Sequence, residues 1–330
     1  MLECGDPDGI PLVFIHGNFS SAVYFEDFMQ TIPPGYRCLA VDLRGYGKTQ
    51  DLPIDATRGA RDWSDDLFAL LRELEIPRAH CLGWSAGAAA IMQFALDYST
   101  MVISLTLLAP VSPYGFGGSK TLTGEPCFGD FSGSGGGLVN AEFVRRVADG
   151  DQTTESPLSP RSVMRNTFVK PPLHFQREDT LLEGSLQQKT GNQRYPGDAP
   201  GSTNWPYKSP GLWGPLNAVS ARYLDLSGLI DLQCKPPILW LRGDSDSVIS
   251  DRSLSDPAVL GEMQLIPDWP GSQVYPAQPM LGQTRAMLNA YRKNGGRYRE
   301  IVLPDVGHSP FLEKPDDVLF HLLEFLGQHA

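Results

Sequence analysis

The chain has 330 residues, 41% of them hydrophobic and 10% aromatic, with a formal net charge of −11. This apolar content excludes global disorder, and the length fits one large α/β domain carrying an insertion. The acidic balance argues against nucleic acid or an anionic membrane as a partner, and no run approaches the ~18 apolar residues of a membrane span.

The N-terminal stretch MLECGDPDGIPLVFIHG lacks a basic segment followed by a long apolar one, so no signal peptide is expected. Its end, PLVFIHG (11–17), reads as a buried strand, and YRCLAVDLRGYG (36–47) as a second. DWSDDLFALLRELEI (62–76) sets Trp63, Leu67, Leu70, Leu71 and Leu74 at helical spacing behind an acidic first turn. AHCLGWSAG (79–87) is a third strand, AAAIMQFALDYS (88–99) a helix apolar nearly all round, and ISLTLLAP (103–110) a fourth strand.

The pattern then breaks. Residues 111–235 are rich in Gly, Pro and Ser, with short helical stretches such as LVNAEFVRRVADG. Aromatic residues including Phe116, Phe143, Phe168, Trp205 and Trp213 argue against a solvated linker and for an inserted cap. PPILWLRGDSD (236–246) and YREIVLPDVGH (298–308) are the last two strands, with a possible rim loop at 256–280 between them. DDVLFHLLEFLGQH (316–329) is a closing amphipathic helix. Continuous Val/Ile/Leu strands alternating with helices predict a doubly wound, mostly parallel α/β sheet. The expected division is a core domain of 1–110 and 236–330 with a loop-rich, partly helical cap at 111–235.

The five cysteines, Cys4, Cys38, Cys81, Cys127 and Cys234, are odd in number and widely spaced. They point to a reduced, cytoplasmic setting. The six histidines show no metal-binding spacing, so no metal site is expected.

The chemistry centres on Gly83-Trp84-Ser85-Ala86-Gly87, a G-x-S-x-G sequence between a predicted strand and a predicted helix. A turn this tight leaves no room for side chains at the glycines and lifts the serine hydroxyl clear of the sheet. The Ala86 amide, near a helix N-terminus, can face a developing oxyanion. A serine hydroxyl needs a base, and His308, directly after the last strand, is best placed. The imidazole in turn needs a carboxylate. Asp244 and Asp246 both follow the penultimate strand, and Asp246 is favoured, with Asp244 as a turn residue or brace. Asp305 reads as a turn former. Glu125 and Asp130 lie in a glycine-rich stretch and rank low. The HGNFSS loop (16–21) offers a second oxyanion donor in the main chain of Asn18, with Phe19 next, while His16 reads as a structural histidine.

Together HGNFSS, DLRGYGKT, GWSAGA, LRGDSDSV and VGHSPFLEKPDD resemble the α/β-hydrolase fold superfamily over about 10–110 and 236–330. That family's acid follows a G-x-x-D turn, which maps to Asp246. Its nucleophile elbow maps to Ser85 and Ala86, its oxyanion loop to Asn18 or Phe19, and its usual cap position to the insertion. One or both of the usual leading strands are expected to be missing or reduced to LEC. Serine rather than aspartate at the nucleophile position disfavours the haloalkane dehalogenase and epoxide hydrolase branches. The resemblance implies hydrolysis through an acyl-enzyme without a cofactor. A neutral, hydrophobic ester or lactone is the expected substrate, with Phe19, Trp84, Trp205, Trp213 and Trp269 as candidate pocket residues. C–C bond hydrolysis, amide or peptide hydrolysis and a non-turnover receptor role are the alternatives.

Overall fold

The computed structural model describes residues 1–329. The strands are β1 (Leu2–Gly5), β2 (Ile10–Ile15), β3 (Tyr36–Val41), β4 (Ala79–Trp84) and β5 (Val102–Leu108). The two-residue β6 (Thr190–Gly191) and β7 (Tyr195–Pro196) form a separate pair, and β8 (Ile238–Gly243) and β9 (Tyr298–Leu303) complete the set. Seven strands make one sheet in the order β1-β3-β2-β4-β5-β8-β9. Every neighbouring pair is parallel except β1 with β3, which is antiparallel. The LEC stretch is therefore a short edge strand.

Both sheet faces are covered, which is why the strands read as unbroken apolar runs. Along β2, Val13 and Ile15 enter the core on one face, and Leu12 and Phe14 enter the core on the other. On the first face lie the helices Arg61–Glu73, through Trp63, Leu67 and Leu71, and Ala86–Asp97, whose first ten residues are all buried. The C-terminal helix Pro315–Gly327 packs Val318, Leu322, Phe325 and Leu326 on the second.

Several expected strands end earlier than the apolar runs suggest. β3 stops at Val41 because Asp42 begins a turn, its carboxylate accepting from the Ala22 amide at 2.7 Å and the Lys48 amide at 3.1 Å. β8 stops at Gly243 and β9 at Leu303, and the chain beyond each becomes a loop at the same sheet edge.

Segment 111–235 carries the helices Ala141–Ala148, Pro160–Val163, Glu178–Leu186 and Pro215–Ala218, together with β6 and β7. Phe143, Met164, Phe168, Leu181 and Leu182 share one buried cluster with Phe14 and Leu82 of the sheet. Trp205 instead joins a small satellite cluster with Ala258 and Tyr275. No helix among the described residues is long and apolar enough to cross a membrane.

Candidate active site

Ser85 follows β4 with φ 56° and ψ −117°, a left-handed conformation that an L-residue enters only under constraint. The constraint is visible on every side. The Ser85 amide donates to the Leu108 carbonyl at 2.9 Å, and the Val111 amide donates to the Ser85 carbonyl at 3.3 Å. A Cβ at Gly83 would lie 2.5 Å from the Gly87 oxygen, and one at Gly87 would lie 2.3 Å from the Ile15 oxygen. The two glycines are thus required by backbone contact, and the helix Ala86–Asp97 begins directly after the serine, which is its N-cap residue.

His308 and Asp246 lie on the loops after β9 and β8. His308 Nδ1 lies 2.8 Å from Asp246 Oδ2. Both side chains are 3% exposed, so the pair operates away from bulk water. The other Asp246 oxygen, Oδ1, accepts from the amides of Val248 at 2.8 Å and Ile249 at 2.9 Å. The carboxylate is thereby fixed from both ends. Main-chain contact with the elbow runs through Trp84, whose Nε1–H donates to the His308 carbonyl at 2.8 Å. Among the described residues, Ser85 Oγ makes no hydrogen bond to the His308 ring.

The remaining acids have other partners. Asp244 is exposed and its Oδ1 accepts from the Asp305 amide at 2.8 Å, bracing one loop against the other. Asp305 sits in a turn at φ 61°. Asp130 accepts from Ser202, Asn204 and Ser209 within the 111–235 segment, and Glu125 pairs with Lys120.

The loop after β2 is stitched by His16. Its Nε2 accepts from the Leu43 amide at 3.0 Å, and Nδ1 lies 2.8 Å from the Gly17 carbonyl. Burial holds this imidazole below the ordinary histidine range, against the opposing charge of Asp42. Asn18 follows, its Oδ1 accepting from the Tyr46 hydroxyl at 2.9 Å. Phe19 has φ 49° and turns its ring away, edge-on to Phe143 at 5.0 Å.

Asn18, Ser85 and Ala86 lie at one wall of a cavity of about 250 Å³. The rest of its lining is mainly aliphatic: Val111, Leu138, Val139, Leu216 and Val219, with Val248 and Ile249 from the acid loop. Phe116 is its one aromatic residue, and no lysine or arginine lines it.

The expected aromatic pocket is not what this cavity presents. Phe19, Trp84, Trp205, Trp213 and Trp269 are all absent from its lining. Trp84 and Phe19 are consumed by the core beneath the site. The indole of Trp205 donates to the Pro267 carbonyl at 2.8 Å, and that of Trp269 to the Tyr275 carbonyl at 3.0 Å. Trp213 is tied through its amide to Asp198. The aliphatic lining went unseen because a Leu or Val facing a cavity carries the same sequence signal as one facing the core.

The sequence matches the Alpha/beta hydrolase family over residues 12–320. The chain belongs to this family. Ethanol acetyltransferase 1 of Eremothecium cymbalariae is 33% identical over 107 residues, 31% of this chain and 29% of that protein. A 2-hydroxy-6-oxononadienedioate/2-hydroxy-6-oxononatrienedioate hydrolase of Pseudomonas sp. is 30% identical over 123 residues, 36% of this chain and 41% of that protein. The chain thus spans less than half the length of these curated relatives. Among solved structures, the esterase EaEST of Exiguobacterium antarcticum superposes with a TM-score of 0.59 at 17% identity, covering 99% of this chain and 94% of the esterase. That likeness establishes the family's fold.

Proposed function

We propose that the chain is a serine hydrolase that cleaves small-to-medium hydrophobic esters or lactones through an acyl-enzyme. What supports this reading is a strained Ser85 at a cavity wall together with a buried His308–Asp246 pair held 2.8 Å apart on the loops after the last two strands.

In this mechanism Ser85 Oγ attacks the acyl carbon as His308 Nε2 takes its proton. That step needs the two atoms within hydrogen-bond reach, a contact that in many hydrolases tightens only when substrate binds. Asp246 accepts the Nδ1–H bond, fixing the tautomer and balancing the imidazolium. The oxyanion is held by the Ala86 amide and by the main chain of Asn18, with Phe19 as the alternative donor. His308 then protonates the departing alkoxide. A water attacks the acyl-enzyme, giving its proton to His308, and the acid leaves as Ser85 recovers the proton. Residues 111–235 act as a cap over the core formed by 1–110 and 236–330, contributing Leu138, Val139 and Leu216 to the substrate's surroundings.

The aliphatic lining supports a neutral substrate. A dianion such as the dienedioate in the Pseudomonas relative's name would have no cationic partner among the cavity residues. The five free thiols fit a reducing compartment such as the cytoplasm.

The test is a panel of p-nitrophenyl esters of increasing acyl length, with fluorophosphonate labelling mapped by mass spectrometry. Wild-type protein is expected to turn over the short and medium esters and to be labelled at Ser85. Ser85→Ala is expected to lose at least ~10³-fold in kcat/KM. Labelling elsewhere, or equal activity in the variant, defeats the reading.

A further inference from the structure

Glu313 closes the short helical turn Pro310–Glu313 that follows the histidine loop, and its carboxylate folds back onto that loop. Oε2 accepts from the Gly307 amide at 2.8 Å, and Oε1 accepts from the Ser309 amide at 3.2 Å. One carboxylate therefore holds the main chain on both sides of His308. The same Oε2 also accepts from the Lys170 amide at 2.9 Å, a residue 143 positions earlier in segment 111–235.

The contact around this carboxylate is close. A Cβ at Gly307 would lie 2.7 Å from the Lys170 nitrogen and 3.0 Å from the Val169 carbonyl carbon. The Lys170 ammonium pairs with Asp305 on the same loop. Burial pushes the Glu313 carboxyl above the ordinary glutamate range, while the three amides pull the other way. The charge of Asp246 adds to the upward push, and the Lys170–Asp305 pair lies on the same loop contact. A half-buried carboxylate with each of its hydrogen bonds spent on main chain serves geometry rather than solubility. Glu313 also lines a second cavity of about 340 Å³, together with Leu173, Phe175, Arg177 and Phe311.

We propose that Glu313 is a positioning residue that latches the 169–170 stretch of the insertion to the backbone flanking His308. Insertion and base then move as one unit. This rests on the reading of His308 as the general base. A shift of the insertion that breaks the latch releases both loop amides at once and carries the imidazole away from Ser85. Misplacement by about 1 Å can cost ~10²-fold in rate without weakening ground-state binding.

The experiment compares wild type, Glu313→Gln and Glu313→Ala by residue-resolved hydrogen exchange and by kcat and KM on a p-nitrophenyl ester. In Glu313→Ala, exchange at Gly307, Ser309 and Lys170 is expected to accelerate together by about tenfold or more. Its kcat should fall about 10–100-fold while KM changes less than about threefold. Glu313→Gln keeps one carbonyl oxygen for Gly307 and Lys170 but turns an NH₂ toward Ser309, so it should recover part of both losses. The proposal is overturned if the three amides stay protected in Glu313→Ala. It is equally overturned if Lys170 alone keeps its protection, or if KM rises while kcat is unchanged. Should Glu313→Ala not fold, the near-isosteric Glu313→Gln carries the test through Ser309 exchange and kcat. If the wild type turns over no ester, the hydrolase reading fails, whereas the exchange data still decide the latch.

Discussion

The indole N–H of Trp84 donates to the main-chain carbonyl of His308, joining the residue before the elbow serine to the histidine loop across 224 positions of sequence. The rings of the two residues are also 5.5 Å apart, and Trp84 is fully buried. Trp84 is thus a brace under the site rather than a wall of it. Trp84→Phe retains most of the ring contact but leaves a buried carbonyl without a donor, which costs about 1–3 kcal/mol. We expect a matching fall in the unfolding midpoint, and about a tenfold loss of kcat on p-nitrophenyl esters with little change in KM. A variant as active and as stable as the wild type would remove the brace from the account.

Gly87→Ala tests the elbow itself. The added methyl would lie 2.3 Å from the Ile15 oxygen and 2.4 Å from the His16 oxygen, both backbone atoms that cannot swing aside. The elbow must separate from the β2 loop, at a cost of about 3 kcal/mol. Chemical denaturation should show that loss, and fluorophosphonate labelling of the folded fraction should slow.

If the acyl group occupies the cavity beside Ser85, its wall should set acyl length. Leu216 is one of the aliphatic lining residues, and Leu216→Ala enlarges the space. A buried methylene is worth about 0.8 kcal/mol, roughly fourfold in kcat/KM. The ester preferred by the variant should be longer than the wild type's by one to three methylenes. An unchanged chain-length profile would show that the acyl group lies elsewhere.

Stability should depend on pH through His80, a residue outside the site. Burial holds its imidazole down at about 4, helped by the charges of His329 and Arg78. Its Nδ1 lies 2.7 Å from the Ser104 hydroxyl, and its Nε2 is buried without a partner. In the unfolded chain it titrates near 6.5. Between these two values the unfolded state binds a proton that the folded state refuses, so stability falls as pH drops from about 6.5 toward 4. The full loss amounts to about 3 kcal/mol and is absent above pH 7. Urea denaturation at pH 7 and pH 5 should give a smaller difference for His80→Gln than for the wild type.

The sheet and the elbow were legible because their signals are local. Continuous apolar runs fix parallel strands, and two glycines around Ser85 reveal a turn that nothing bulkier could make. The edges were less legible. β3 ends at Val41 because Asp42 captures amides from Ala22 and Lys48, a contact that hydropathy does not encode. The tryptophans give an ambiguous signal for a related reason: their size marks them as anchors, and burial in the core satisfies that as well as contact with substrate does. Glu313 escaped notice because its three donors come from two segments far apart in sequence.

Val248 and Ile249 serve two masters: their amides hold the Asp246 carboxylate while their side chains face the cavity. Redesigning these two sites therefore risks disturbing the Asp246 carboxylate and the His308 imidazole it holds. Leu138, Val139 and Leu216 carry no such burden, which makes the inserted segment the freer region in which new specificities could diverge or be engineered.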